Sequence, residues 1–201
     1  MTEKRANTRV PIDPLIAARW SPRAFDPARA IESATVTALL EAAHWTPSCY
    51  NEQPWRFIVC NRHDNEVAWQ FALSCLMSIN QLWAKNAPLL ITACAHEVFT
   101  HNGKANRWAQ YDTGAASMNI CLQATSLGLF AHQMGGFDTE RAREIFKLPQ
   151  DLTPMSVIAV GHYGGLDNLE ADFVAGETAA RERKPLESHF FNGDLDTPFN
   201  F

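Results

Sequence analysis

Two short segments gather most of the side chains that could do chemistry. The first, Arg19-Trp20-Ser21-Pro22-Arg23-Ala24-Phe25, puts two guanidiniums and a hydroxyl within five residues. Guanidinium groups are donor-only forks that match the oxygens of a phosphate or carboxylate. The cluster therefore suits an anion, although the same residue types also make an ordinary solvated charged helix end. The second segment, Pro47-Ser48-Cys49-Tyr50-Asn51-Glu52-Gln53-Pro54-Trp55, sets hydroxyl, thiol and two side-chain amides beside a flat indole. Amides offer donors and acceptors together, so this loop can read the hydrogen-bonding edge of a planar heterocycle. In a Pro-bounded loop the same Asn and Gln can instead bond their own backbone.

Other chemistries lack their spacing. The chain has no GxGxxG dinucleotide turn, no GxxxxGK[ST] phosphate loop and no GxSxG nucleophile elbow. His96 and His101 are five residues apart, about 140° around a helix, whereas a zincin helix needs a spacing of four. They read as hydrogen-bonded histidines, and no metal site is expected. The five cysteines, Cys49, Cys60, Cys75, Cys94 and Cys121, form an odd set without a CxxC pair. Four lie in apolar stretches where a free thiol behaves as a small hydrophobe, which points to a reducing compartment.

The elements that must position these residues are drawn from 201 residues, 46% hydrophobic and 19% charged, a globular balance. That length buries roughly 70% of its unfolded surface, enough for one core, so residues 1–201 are expected to form a single domain, with 188–201 as a C-terminal tail. A net charge of −5 argues against nucleic acid. The basic residues weigh toward the ends, where Lys4, Arg5, Arg9, Arg19 and Arg23 outnumber Glu3 and Asp13, and Arg181, Arg183 and Lys184 cluster. A polar opening stretch and the lack of any apolar run near 18 residues predict no membrane partner and a cytoplasmic protein.

Asp13-Pro14 reads as a cap and first turn, with a helix to Trp20 ended by Pro22. A second helix starts at Ser33 or Thr35 and stops before Pro47. Arg56–Cys60, Pro88–Cys94 and Met155–Gly161 read as strands, and Phe130–Met134 as extended chain. Helical stretches fill 64–83, and a long helix runs from Lys104 to Leu127 with apolar residues on nearly every face, which requires burial by the core or a partner. Gly135-Gly136 breaks the chain before Asp138 caps a helix over Thr139–Phe146, and a weaker helix covers Glu170–Arg181. Helices mixed with at least three apolar strands make an α+β or α/β domain.

Read together, the two chemistry-bearing segments resemble the nitroreductase family of FMN-dependent oxidoreductases, whose patterns are R-[RHW]-S-x-[RK]-x-F and PS-x-x-N-x-QPW. The resemblance continues through Asp112-Thr113-Gly114-Ala115-Ala116, Leu127-Gly128-Leu129, Gly135-Gly136-Phe137-Asp138, Val160-Gly161-His162 and Arg183-Lys184-Pro185-Leu186. It implies an α+β fold with a mixed, mostly antiparallel central sheet flanked by helices. The long helix would pack on its twin in a homodimer with FMN at the subunit interface.

By matching positions, the resemblance implies that Arg19 and Ser21, beside Trp20, hold the FMN phosphate and ribityl end, with Arg183 or Lys184 adding charge. Arg23 would lie at the pyrimidine edge, where a cation favours the negatively charged reduced flavin. Pro47, Ser48, Cys49, Asn51 and Gln53 would reach the flavin of the partner chain. Cys49 stands where many relatives have Ser and reads as its near-isostere; the other reading is a redox-active thiol. Gln133 and Met134 would contact the cofactor, the backbone of Gly135 and Gly136 would face flavin N5, and many relatives carry Glu at the first glycine. The activity implied is hydride transfer from NADH or NADPH through flavin N5 to a nitroaromatic, quinone or similar acceptor by a ping-pong cycle, with no protein nucleophile. Alternatives are another redox outcome on the same fold (dehalogenation, enone reduction, dehydrogenation) or a non-catalytic flavin-binding module.

Overall fold

A computed structural model describes residues 4–201; Glu3 lies outside them. In chain order the elements are α1 (Pro14–Ala18), α2 (Ser33–His44), β1 (Trp55–Asn61), α3 (Glu66–Cys75), α4 (Ser78–Ala84), β2 (Leu89–His96), α5 (Ala109–Ser126), β3 (Phe130–Met134), α6 (Thr139–Ile145), β4 (Leu152–Gly161) and α7 (Ala171–Thr178). The fold is α+β. The sheet runs β1-β2-β4-β3, and its three pairings are all antiparallel. The parallel component of a mixed sheet is thus absent among the described residues.

Alternation along the strands feeds a core on each face, as a period of two requires. Leu89 and Ile91 of β2, with Ile158 and Val160 of β4, pack against Leu39 of α2 and Ile120, Cys121 and Ala124 of α5. Leu90, Val157 and Ala159 point to the other face, against Trp69, Trp83 and Phe137. The sheet is therefore sandwiched between an α2–α5 layer and an α3–α4–α6 layer.

Several expected boundaries move for identifiable reasons. α1 stops at Ala18, because Arg19 turns into extended backbone after donating its N–H to Leu15. The stretch 64–83 divides at Leu76, which bridges to Phe137. α5 starts at Ala109 rather than Lys104, since residues 97–106 fold back on themselves. There Val98 bridges Ala105, and the Asn106 N–H donates to the Glu97 carbonyl. β4 begins at Leu152, ahead of Pro154; β3 pairs β4 only from Val157 onward, so the missing proline N–H falls where that side has no ladder. A register shift between Ala93 and Cys94 absorbs the irregularity. α7 ends at Thr178, short of Arg181. Among the described residues no helix is long and apolar enough to cross a membrane.

Candidate functional site

Arg19 and Ser21 come together at the end of α1, the Arg19 Nη1 donating to Ser21 Oγ at 3.3 Å. Arg19 borders a cavity of about 730 Å³ between the N-terminal arm, α1 and the segment 181–187, lined also by Arg181, Arg183 and Lys184 with Ile16 and Met118. Arg181 ties this region together, donating from Nη1 to the carbonyls of Lys4 (2.9 Å) and Ala17 (2.7 Å). Burial, and then the charges of Arg19 and Arg183, hold its guanidinium below its ordinary pKa. Like charges crowded this way favour an anion among them. Arg9 and Glu187, at the same cavity, neutralise each other across 3.2 Å.

β3 is an edge strand beside this cluster. Gln133, exposed, donates from Nε2 to Cys121 Sγ at 3.4 Å. Burial raises the pKa of that thiol, and Arg19 is close enough to lower it in part. Gln133 and Arg19 therefore share one neighbourhood. After β3, Gly135 has open space where a Cβ would stand, whereas a Cβ on Gly136 would come within 2.8 Å of Asn80 Nδ2. The Gly136 carbonyl accepts from Met77 N–H (3.0 Å) and Asn80 Nδ2 (2.9 Å), which locks the glycine pair to the start of α4.

Two expected residues are committed elsewhere through their side chains, and a third, Arg23, lies beside two aromatic rings. The Trp20 ring is buried, edge-on to Phe130 and capped by Lys4 Nζ at 4.6 Å. Met134 is packed into the core with Trp83. Both can meet a ligand only through their backbone. Arg23 is half-buried, its guanidinium 5.9 Å from the Trp83 ring and 5.7 Å from the Phe173 ring.

The second segment lies at another station along α5. The Cys49 N–H donates to Asp112 Oδ2 at 3.0 Å, and the Gln53 N–H to Ser48 Oγ at 2.9 Å. Tyr50, Asn51 and Gln53 all have positive φ, a conformation costly for side-chain-bearing residues that persists only where surroundings fix it. Part of that fixing comes from Glu52, which accepts from Thr100 N–H (2.7 Å) and faces His101 Nδ1 at 3.4 Å. Burial alone would push the Glu52 carboxyl up, but its hydrogen bonds to Thr100 and the neighbouring His101 hold it below the usual range. Gln53 Nε2 returns to the Asn51 carbonyl (3.0 Å), the self-bonded arrangement open to such loops. Pro47 is exposed beside it. Asp112, which seats the loop, and Cys121, which sits by Arg19, are nine residues apart, about 13 Å along the helix axis.

His96 pairs with Asp151 at 3.2 Å, separately from His101 with Glu52. The five thiols are unpaired, and burial pushes Cys60 and Cys94 up to about 11, as for structural thiols. Sequence reasoning missed Glu177, His132 and the seating role of Asp112. The partners of Glu177 and His132 lie more than 100 residues away along the chain, so no local pattern announces them.

Comparison with known proteins adds a relationship. The sequence profile of the Nitroreductase family matches residues 16–162. A solved crystal structure of an oxidoreductase containing FMN superposes with a TM-score of 0.89 at 32% identity, covering 98% of each chain. A protein of Archaeoglobus fulgidus provisionally named NADH dehydrogenase/NAD(P)H nitroreductase is 31% identical over 138 residues, 67% of this chain and 75% of that one. An uncharacterised 15.4 kDa protein of Mycolicibacterium smegmatis is 34% identical over 126 residues, 63% of this chain and 84% of its own.

Proposed function

The chain belongs to the nitroreductase family, and from that premise we propose that it is an FMN-dependent oxidoreductase drawing on NADH or NADPH and serving an electron-poor acceptor such as a nitroaromatic or quinone. The observation that carries this is the convergence of Arg19, Arg183 and Lys184 on one cavity, with Ser21 hydrogen-bonded to Arg19. That donor-only set fits a phosphate, and the open space at Gly135 fits a planar ring lying against backbone. The similar FMN-containing oxidoreductase supports the same cofactor.

When bound, FMN supplies hydride acceptance and donation at N5. The protein's part is binding, orientation and charge. Arg19 and Ser21 hold the phosphate and ribityl end, with Arg183 and Lys184 adding charge. Arg23 keeps a cation at the pyrimidine edge, and Gln133, Gly135 and Gly136 bound the reacting face. Ser48, Cys49, Asn51 and Gln53, seated about 13 Å along α5 from that cluster, serve the site of a second copy. Cys49 acts as a serine-like neighbour with its backbone fixed on Asp112. A homodimer is further supported by the exposed stripe Tyr111, Gly114 and Met118 on α5.

Steady-state kinetics of FMN-loaded protein across a panel of acceptors test this function. Parallel double-reciprocal lines, with turnover of nitroaromatics or quinones, are expected. Turnover confined to dehalogenation or enone reduction moves the assignment to another reaction on the same fold, and the absence of any turnover leaves a flavin-binding module.

A further inference from the structure

Two titratable side chains, one buried and one half-buried, have no place in the site described so far. Glu177, the penultimate residue of α7, is 2% exposed. Its Oε1 and Oε2 accept from the Arg23 N–H at 3.1 and 3.0 Å, and Oε1 also from the Ala24 N–H at 3.2 Å. On the other side of the same turn, His132 of β3 lies with Nδ1 2.9 Å from the Pro22 carbonyl and its ring 4.6 Å from that of Trp83. A carbonyl can only accept, so Nδ1 carries the proton.

Burying a carboxylate is unfavourable unless hydrogen bonds compensate it, and an apolar residue would fill the same space more cheaply. Glu177 directs both oxygens to two consecutive backbone N–H groups of the segment that bears Arg19, Ser21 and Arg23. Its own carbonyl accepts from Lys4 Nζ at 2.7 Å, so the N-terminal arm closes over this point. The turn between α1 and the Phe25–Tyr163 bridge has no helix or strand of its own; these side chains supply the bonds that a ladder would supply elsewhere.

Resting on the FMN assignment above, we propose that Glu177 and His132 are positioning residues: a carboxylate and an imidazole that grip the turn Pro22–Ala24 from two sides and set where Ser21 and Arg23 meet the flavin. With its backbone held by Glu177, Arg23 sends its guanidinium to the Trp83 and Phe173 rings, Trp83 being the ring against which His132 lies at a tilt. His132 does this without charge. Burial, outweighing its bond to Pro22, and then the neighbouring Arg23 and Arg19 bring its pKa down to about 4, so no further cation enters an already positive region.

The full-length protein and its variants Glu177→Gln, His132→Ala and His132→Asn are titrated with FMN and with riboflavin, which lacks the phosphate, and their Tm values are recorded. Glu177→Gln keeps the side-chain volume and is used in place of an alanine variant, which could lose the fold. Glu177→Gln and His132→Ala are expected to weaken FMN binding about tenfold, the scale of one charge-assisted hydrogen bond, and riboflavin binding less. His132→Asn, which keeps an N–H near the Nδ1 position, restores affinity. In an Arg19→Ala background the Glu177→Gln loss largely disappears, because both act through one segment. Affinity within twofold of the parent for both variants overturns the proposal, as does a loss equal for FMN and riboflavin and additive with Arg19→Ala. Failure of the unmodified protein to bind FMN overturns the FMN assignment and the proposal with it, and that arm alone tells the two apart.

Discussion

Arg19 is the side chain on which the phosphate assignment turns. Among the described residues it is the cavity-lining cation that also contacts Ser21 and sits close enough to act on Cys121 of α5. Replacing it with Ala removes a charge-assisted contact worth about 1.5–3 kcal/mol, and FMN titration of Arg19→Ala is expected to show a Kd raised by roughly one to two orders of magnitude. An unchanged Kd places the phosphate elsewhere. A second residue-scale consequence concerns acid. His132 has its pKa lowered from 6.5 to about 4 on folding. Between those values the unfolded chain binds a proton that the folded chain refuses. The stabilisation is complete above about 6.5 and is lost as pH falls toward 4, by an amount on the order of 3 kcal/mol. Urea unfolding at pH 7 and pH 4.5 should show the unmodified protein losing more stability than His132→Asn, which has nothing to titrate there; equal losses contradict the assignment. At this scale the sequence was informative where partners are neighbours: Arg19 and Ser21 are two residues apart and are found together. Glu177 and His132 stayed hidden because their partners are 154 and 110 residues distant and are reached only through the packing of α7 and β3 on the turn.

The elements were mostly legible because each carries its own period and punctuation. Asp13 before Pro14 does cap α1, its carboxylate accepting from the Leu15 N–H at 2.8 Å, and Asp138 caps α6 through the Arg141 N–H at 2.9 Å. What could not be read was the order β1-β2-β4-β3, which depends on long-range pairing, and the positive-φ turn at Tyr50, Asn51 and Gln53, which contains no glycine to signal it. The long helix read as starting at Lys104 because no proline or glycine interrupts Lys104–Trp108, although that stretch is largely polar. One close approach tests how the elements lock around the site. The Gly164 N–H donates to the Ala24 carbonyl at 2.7 Å, and a Cβ on Gly164 would stand 2.7 Å from the Phe25 carbonyl oxygen and 2.8 Å from Asp26 backbone atoms. Backbone cannot step aside as a side-chain tip can, so Gly164→Ala is expected to cost roughly 1–3 kcal/mol and to lower Tm by several degrees. Gly135→Ala, with open space around its Cβ, should stay within about 0.5 kcal/mol of the parent. Thermal denaturation of the pair checks both, and equal Tm values refute the distinction.

For the whole molecule, the proposed dimer follows from α5. One face is buried in its own chain, while Tyr111 and Met118 remain 76% and 43% exposed on the other, with Gly114 between them. Gly114 has open space around its Cβ and lies within a helix, where most residues are better tolerated than glycine. Gly114→Arg should therefore leave the chain folded while blocking the approach of a second helix. Sedimentation velocity is expected to give a dimer for the parent and a monomer for the variant, together with loss of FMN; a parent that sediments as a monomer contradicts the two-copy site. The acidic balance of the whole chain is compatible with an anionic cofactor only because the basic residues near its two ends fold against each other, Arg181 bonding Lys4 and Ala17. The central claim is that this assembly carries electrons from a nicotinamide donor through bound FMN. The most direct measurement is an anaerobic titration of the FMN-loaded protein with NADH and with NADPH, followed at the visible flavin absorbance. Bleaching complete near one equivalent of at least one donor is the predicted result; an absorbance unchanged by excess of both would contradict it.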